Sequence, residues 1–448
     1  MRFDPEGAYT MDIMTLSLFC LGVLICVFSG LSILWALGFG LLLFLAYGKK
    51  QGHTMKALMK MCLDGIKTVK NILLTFVLIG IMTALWRASG TIPAIVCYAA
   101  RLIRPTVFLP LAFILCCAVS YLTGTSFGTA ATMGVICAAM GSALGVDIRL
   151  IGGAILSGSF FGDRCSPVST SALLVADITG TDIFTNIRRM MRSSAVPFFL
   201  SCTIFCTVGL IRRTNGEMLD LETVFAQSFS LHWLALIPAL VILFLSFFRV
   251  NVKIAMGTSI LSALPLCIIL QKNPIIDLIR FAIYGFSTPD MDVAKLINGG
   301  GLISMLRVAV IVCLSSAYAG IFQNTGLLDR AKDALRRMTL RTGNYPSTLI
   351  AAVFTSMIAC NQSLATLLTE QLCGELYTRR SDMALDLEDT VIVIAPLIPW
   401  SIAGAVPLAS IGAPDSSIFF AVYLYLLPLY RLVCRTKPAV SETAVSGK

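Results

Sequence analysis

The chain is poor in charged residues and in histidine. Only 13% of its 448 residues are Asp, Glu, Lys or Arg, and 2 are histidine. Soluble domains carry about 25% charged residues, so this composition excludes an ordinary soluble protein. Because 57% of the residues are hydrophobic, we predict a polytopic membrane protein. At roughly 20 residues per crossing, the apolar stretches predict about 10 to 12 membrane segments.

The motifs of metal, redox and nucleotide enzymes are also missing from the sequence. The 15 cysteines are scattered through apolar sequence without a C-x-x-C pair, which indicates small buried side chains rather than disulfides or a metal site. No H-E-x-x-H, Walker A or dinucleotide-binding fingerprint occurs. We therefore expect no cofactor, with Na+ as a transported or coupling ion at most.

The net charge of +10 does not indicate a nucleic-acid partner. The Lys and Arg residues lie mostly between apolar stretches, for example at 49–70 and 188–192. Basic loops of this kind mark the cytoplasmic side of a membrane protein. The lipid bilayer is therefore the expected surrounding, and no nucleic acid is expected as a partner.

A polar pattern occurs twice inside the apolar sequence. Residues 126–132 and 363–369 both read S-x-x-T-x-x-T, 237 residues apart, and the apolar segments 65–90 and 301–326 upstream are offset by 236. Small polar residues of this kind serve tight helix packing or line a cavity. Matching polar interruptions in two halves are typical of the binding site of a secondary transporter.

Each pattern is followed by an acidic segment that contains proline. These segments are 162–171 and 388–401. Proline removes a backbone donor and leaves a carbonyl unpaired, and in lipid that carbonyl needs a neighbouring group or an ion. We therefore predict broken helices around a polar site, with Asp163 as the leading ionisable group because a charge inside a membrane segment is expensive.

These observations predict a candidate site and a division of the chain. The candidate ion- or substrate-binding residues are Ser126, Thr129, Asp163, Ser166, Ser169, Thr170, Asn361, Gln362, Ser363, Thr366 and Asp389. Of these, Asp163, Ser126 and Asn361 are the candidate Na+ ligands. The predicted parts are an N-terminal membrane segment and basic loop (1–59), repeat one (60–213), connecting helices (214–295), repeat two (296–434) and a disordered tail (435–448).

Two further features leave alternatives open. Arg87 either extends to the membrane interface or faces the cavity and meets an anionic group. The run Gly124–Gly128 matches the G-x-S-x-G nucleophile elbow, and with His232 and an aspartate it would complete a serine-hydrolase triad. That motif requires a strand–turn–helix setting, so an intramembrane serine hydrolase centred on Ser126 is the less favoured alternative.

The chain resembles the NhaC-type Na+/H+ antiporter family of the ion transporter superfamily over roughly 60–213 and 296–415. The matching stretches are LWRASGTIP (85–93), TGTS (123–126), SFFGDRCSPVS (159–169), GTDIF (180–184), GGGL (299–302), TGLL (325–328), LEDT (387–390) and PLIPW (396–400). The resemblance implies an all-α fold of two inverted repeats with broken helices and re-entrant hairpins. It also implies a homodimer in the bacterial inner membrane that exchanges Na+ for H+ by alternating access.

Two positions depart from the family pattern. Where the family usually has an aspartate after S-P-x-S, this chain has Ser169-Thr170-Ser171, and where the family has Asp before Gln it has Asn361. Neutral oxygens can bind Na+ but do not carry a proton at ordinary pH. Na+/H+ antiport is the first functional prediction, and Na+- or H+-coupled transport or exchange of a small organic acid or amino acid is the alternative.

Overall fold

The computed structural model is helical throughout the residues that it describes. These are 31–435 except 103, 212–224, 226–227, 249, 291–292, 295–296 and 326–342, together with parts of 14–29. The extended pairing found within them is one isolated bridge between Phe286 and Gly299. The prediction of an all-α fold is confirmed, while the predicted tail from 436 onward lies outside the described residues.

The helices follow one another with short connections. In chain order they are α1 (Ile33–Lys50), α2 (Met55–Thr68), α3 (Lys70–Ala88), α4 (Thr91–Leu102), α5 (Pro105–Thr123), α6 (Ser126–Ala143), α7 (Ile148–Cys165), α8 (Thr170–Thr179), α9 (Ile183–Ile211), α10 (Trp233–Phe247), α11 (Val252–Ile269), α12 (Ile275–Tyr284), α13 (Gly301–Thr325), α14 (Asn344–Ala359), α15 (Gln362–Cys373), α16 (Arg380–Leu397), α17 (Ile402–Ser410) and α18 (Val422–Arg435). Helix α6 contains a π turn at Ala130–Gly134.

The lengths and composition of these helices suit a multi-pass membrane protein. In the described part of the chain, six helices are long and apolar enough to cross a membrane. The bent pair α16–α17 is a seventh candidate, either as one broken span or as a re-entrant loop. Shorter apolar helices lie at Thr170–Thr179, Trp233–Phe247 and Val422–Cys434. The sequence estimate of about 10 to 12 segments is therefore approached only when the short helices are counted separately.

Two helical hairpins turn through left-handed residues. Helix α5 ends at Gly124, which has φ 66°, and α14 ends at Cys360, which has φ 54°. The next residue in each case caps the following helix, Thr125 by accepting from the Gly128 amide and Asn361 by accepting from two amides. The two caps are 236 residues apart, so the structural counterpart of Ser126 is Gln362, and the sequence alignment of Ser126 with Ser363 is displaced by one residue.

Two broken helices follow the hairpins, as the prolines predict. Helix α7 stops at Cys165, and Ser169 caps α8 by accepting from the amides of Ser171 and Ala172. Helix α16 stops at Leu397 and meets α17 at an angle of 58°. There Ser401 caps α17 by accepting from the Ala403 amide.

In each half the hairpin turn lies against the break. A Cβ added to Gly124 would lie 2.7 Å from the carbonyl carbon of Val168 and 2.8 Å from the nitrogen of Ser169. In the second half, the Ile402 amide donates to the Cys360 carbonyl at 2.9 Å. Non-helical backbone is therefore gathered inside the protein, where its polar groups find partners.

Small residues bring α5 and α7 into close contact beside this region. A Cβ on Gly162 would lie 2.3 Å from the Tyr121 nitrogen, so α7 tolerates no side chain at that position. The Ser120 hydroxyl donates to the Ser159 carbonyl at 2.5 Å. Close backbone approach through small residues is a common means of helix association in membranes, and here it sets the position of the C-terminal end of α7.

We predict that Gly124→Ala destabilises the hairpin and disturbs the break that it touches. A left-handed alanine costs about 1 kcal/mol, and the added methyl also meets the backbone of Val168 and Ser169. Gly180 is the matched control, because it has φ 63° and no atom within 4 Å of an added Cβ. Thermal unfolding in detergent should show a clearly larger loss of Tm for Gly124→Ala than for Gly180→Ala; equal losses would contradict the packing described.

Candidate functional site

Asp163 lies near the end of α7, immediately before the break in that helix. Its side chain is 3% exposed. The hydroxyl of Ser169 donates to one carboxylate oxygen at 2.9 Å, and the hydroxyl of Ser171 donates to the other at 3.1 Å. The break thus turns the first residues of α8 back toward the carboxylate.

The hairpin brings two further donor groups near the same carboxylate. They are the hydroxyl and the backbone amide of Ser126, the first residue of α6. The positive end of a helix dipole favours a negative group at this position. Asp163 is therefore a buried carboxylate surrounded by donors from two broken elements, and we call Asp163 with Ser126, Ser169 and Ser171 the hydroxyl cluster.

Gln362 joins the hydroxyl cluster to the second half of the chain. Its side-chain oxygen accepts from the Ser171 hydroxyl at 3.3 Å, and its side-chain nitrogen donates to the Ile392 carbonyl at 3.0 Å. In a regular helix that carbonyl would accept from residue 396, which is a proline and has no N–H. The amide of Gln362 thus satisfies a carbonyl that Pro396 leaves free.

Arg164, the residue next to Asp163, is fully buried and ion-paired. Its guanidinium pairs with Asp389 and donates to Ser193 at 2.8 Å and to the Glu388 carbonyl at 3.1 Å. It also donates to Ser194. These contacts join α7, α9 and α16 in one network, so the direction of the end of α7 is determined by a charge inside the protein.

A second arginine extends the network toward α18. Arg431 lies 2.6 Å from one oxygen of Asp389 and 3.1 Å from one oxygen of Asp386. The Tyr377 hydroxyl donates to the other oxygen of Asp386 at 2.8 Å. We call Arg164, Asp389, Arg431 and Asp386 the charge network, and its two cations balance its two anions.

Glu388 differs from its neighbours in the charge network. Its side chain is fully buried, and neither carboxylate oxygen has a hydrogen-bond partner among the described residues. The charges that act on it are those of Arg164, Asp163 and Asp389. A buried carboxylate without donors is costly, so it requires a proton or a cation to compensate its charge.

The other sequence candidates occupy different positions. Ser166 is buried within the break, where its hydroxyl accepts from the Val168 amide, and Thr129 and Thr366 are buried but donate to carbonyls of their own helices. The Asn361 side chain is occupied in capping α15. Thr170 and Ser363 are exposed. The structure thus brings Ser126, Asp163, Ser169 and Gln362 together, and it places Asp389 in the charge network.

Sequence reasoning omitted two residues from the site. Ser171 belongs to the polar run after Pro167 and donates to both Asp163 and Gln362. Glu388 precedes Asp389 in a stretch whose depth in the membrane the sequence left open. Ser171 could have been recognised from its position two residues after Ser169, the cap of α8. In the first turn of that helix its side chain faces the end of α7.

The comparison with protein families is decisive for identity. The model of the Na+/H+ antiporter family matches residues 6–182 and 160–432, which together span most of the chain. The chain belongs to the Na+/H+ antiporter family. This membership and the apolar helices establish a multi-pass integral membrane protein, which in a bacterium lies in the inner membrane.

Similar proteins include antiporters of different named substrates. The "Na(+)/H(+) antiporter NhaC" of Alkalihalophilus pseudofirmus is 30% identical over 388 residues, covering 83% of each chain. The "Malate-2H(+)/Na(+)-lactate antiporter" of Bacillus subtilis is 28% identical and covers 87% of this chain and 86% of the relative. The "Arginine/ornithine antiporter ArcD" of Halobacterium salinarum is 26% identical, with coverages of 88% and 83%.

We predict that the charge network stabilises the fold only as a balanced set. Asp389→Asn leaves the buried guanidinium of Arg164 and the partly buried guanidinium of Arg431 with less compensation. Breaking a buried pair in this way costs about 3 to 5 kcal/mol. The double variant Arg164→Gln/Asp389→Asn removes one charge of each sign. It should recover part of the Tm lost in Asp389→Asn, as measured by thermal unfolding in detergent.

The control for this prediction is an exposed ion pair. Asp64 pairs with Lys67 at 2.8 Å on the surface, where the side chains are 51% and 76% exposed. Surface pairs contribute little, so Asp64→Asn should leave Tm nearly unchanged. A loss of Tm for Asp64→Asn as large as that for Asp389→Asn, or a double variant less stable than either single one, would contradict the assignment.

Proposed function

We propose that the protein is a secondary active transporter that exchanges Na+ for H+ by alternating access. Asp163 would bind Na+ within the hydroxyl cluster, and Glu388 would carry the proton. The observation that carries the proposal is the pair of buried carboxylates in unlike surroundings. Asp163 accepts from several donors, whereas Glu388 has none among the described residues.

The unlike surroundings suggest a division of roles between the two acids. Hydrogen bonds from hydroxyls stabilise the ionised form of Asp163, and hydroxyl oxygens can rotate to offer lone pairs to a cation. Glu388, without donors, is compensated by a proton when no cation is near. Because each charge acts on the other, Na+ arriving at Asp163 would favour release of the proton from Glu388.

The two halves would provide the movement. Each half contains a hairpin and a broken helix, and the halves would form inverted repeats over 60–213 and 296–434. The ion site would lie where the two repeats meet. Gln362 supports this arrangement because it contacts α8 and α16 together.

We further propose that Na+ is held by protein oxygens alone, without a resident cofactor, and that the protein works in the bilayer as a homodimer. Dimerisation is measurable by light scattering of the purified protein.

Coupled transport or exchange of an organic solute is the second candidate. The named activities of two relatives, malate/lactate and arginine/ornithine exchange, support it. It would use the same hydroxyl cluster for the coupling ion and a separate contact for the carboxylate of the solute. Screening uptake of carboxylates and amino acids distinguishes the two candidates.

We propose a transporter rather than a hydrolase for a geometric reason. In the serine-hydrolase triad, the nucleophilic serine donates to a histidine at about 2.6–3.2 Å. The Ser126 hydroxyl lies near Asp163. His232 is exposed, and its ring nitrogen accepts from the nearby Leu234 amide at 3.2 Å.

Asp163→Asn tests the proposal directly. In proteoliposomes with an imposed Na+ gradient and a trapped pH dye, the wild-type protein should change the internal pH, and the sign should reverse with the gradient. The variant should lose Na+-dependent proton movement because a neutral amide neither compensates Na+ nor responds to the proton. Asp177, exposed on the neighbouring α8, is the control, and Asp177→Asn should transport normally.

Glu388→Gln is expected to separate binding from coupling. The amide cannot release a proton, so the variant should retain Na+ binding, measured by calorimetry, while losing Na+-dependent pH change. Normal pH change in Asp163→Asn would remove that residue from the mechanism. Normal pH change in Glu388→Gln would assign the proton to another group.

A further inference from the structure

A cavity of about 580 Å³ lies apart from the hydroxyl cluster. Its walls come from α3, α6, α13 and α17, and its lining is largely apolar, with Val135, Ala138 and Val308 among the contributors. Small-molecule sites in proteins typically have volumes of about 300–1,000 Å³ and mostly apolar walls with a few polar groups. The cavity therefore has the size and surface of a ligand site.

Arg87 is the distinctive polar group of this cavity. One terminal nitrogen donates to the Thr83 carbonyl at 2.7 Å, and the Nε atom is buried without a hydrogen-bond partner among the described residues. Among the described residues, no carboxylate lies close enough to compensate the charge of this guanidinium, which is affected by burial alone. A cation held in this way is an anchor for an anion.

The mouth of the cavity is electrically different from its interior. Arg307 and Asp415 line it and face each other at 3.9 Å, with side chains that are 60% and 45% exposed. Their charges balance in contact with solvent. Among the described residues that line the cavity, the uncompensated positive charge is therefore that of Arg87, at the end of α3.

The position of Arg87 is fixed by its neighbours. Trp86 is fully buried, and its ring nitrogen donates to the Ser259 hydroxyl at 2.9 Å. Asn273 donates to the Ala88 carbonyl at 3.0 Å. The end of α3 is thus held against the loop that follows α11, and the guanidinium is presented to the cavity by a rigid segment.

We propose that this cavity binds the carboxylate group of a small organic acid, with Arg87 as the side chain that recognises it. The planar guanidinium matches a carboxylate in a two-hydrogen-bond arrangement. Ser142, Ser304 and Ser410 also line the cavity. The hydroxyls of Ser304 and Ser410 donate to the carbonyls of Gly301 and Val406, so their oxygens are acceptors for a hydroxyl group of the ligand. The apolar remainder accommodates a short carbon chain.

The cavity and the hydroxyl cluster share helix α6, and the cavity is also lined by a helix that begins at the second break. Ser126 begins α6, and Val135 lines the cavity nine residues later, or about 14 Å along the helix. Helix α17 begins at the second break and lines the cavity with Ala405. A movement of α6 would therefore act on both sites, although the proposal does not depend on Na+/H+ exchange.

Binding is measured on the purified full-length protein in detergent. Thermal unfolding is followed in increasing concentrations of potassium L-malate and potassium L-lactate, with KCl holding ionic strength constant and with glycerol and potassium sulfate as comparison solutes. We expect malate or lactate to raise Tm in a saturable manner, whereas glycerol and sulfate do not. Arg87→Gln should weaken the apparent affinity by about tenfold or more, because a charge-assisted hydrogen bond is lost.

The matched control is Arg280→Gln. Arg280 is an exposed arginine on α12, a helix that packs against α3 and α13, and its replacement should leave the affinity unchanged. Equal affinity in wild type and Arg87→Gln, or no saturable response to either acid, would overturn the proposal. An equal response to sulfate would overturn the assignment to carboxylates.

A second variant keeps the test decisive if Arg87→Gln does not fold. Ala409 lines the cavity, and Ala409→Leu fills space there without altering a charge. It should abolish the Tm increase, and a normal increase in this variant would place binding elsewhere. Asp163→Asn should still bind the acid. If the wild-type protein binds the acid but does not exchange Na+ for H+, only the exchange proposal is rejected. If it exchanges Na+ for H+ but does not bind the acid, only the proposal of an acid site is rejected.

Discussion

The buried guanidinium of Arg164 is the interaction on which the arrangement of the site depends. It joins the end of α7 to α9 and α16, and its charge is balanced by Asp389 within the network that also holds Arg431 and Asp386. Removing a charged pair from water costs several kcal/mol per ion, so the network is better understood as a positional constraint than as a source of stability. Its consequence is that Asp163, the preceding residue, lies where the break and the hairpin turn meet.

The polar groups around Asp163 come from the interruptions of the helices. Gly124 and Cys360 turn the hairpins, Ser169 and Ser401 restart the broken helices, and the amides and hydroxyls freed by these interruptions are directed inward. Gln362 then satisfies a carbonyl that a proline leaves free. A membrane protein can keep such groups only within its interior, which is also where an ion must be bound without water.

The sequence was sufficient for the helical membrane fold and the two interruptions, because prolines and hydroxyls in apolar sequence have few structural explanations. It also singled out Asp163, which the structure buries beside the first break. It was insufficient for register, since the repeated S-x-x-T-x-x-T pattern suggested Ser363 where the helix caps place Gln362. It also did not separate Asp389 from Glu388, because their different roles depend on Arg431, which is 42 residues further along the chain and reaches Asp389 only through the packing of α18.

In the proposed mechanism, two buried carboxylates, Asp163 and Glu388, share one charge between Na+ and H+. The most direct test is the number of protons released when Na+ binds to the purified protein in weakly buffered detergent solution, recorded with a pH indicator. The account predicts release that saturates with Na+ binding, is absent in Glu388→Gln and is lost together with Na+ binding in Asp163→Asn. Saturable Na+ binding without proton release in the wild-type protein would contradict it.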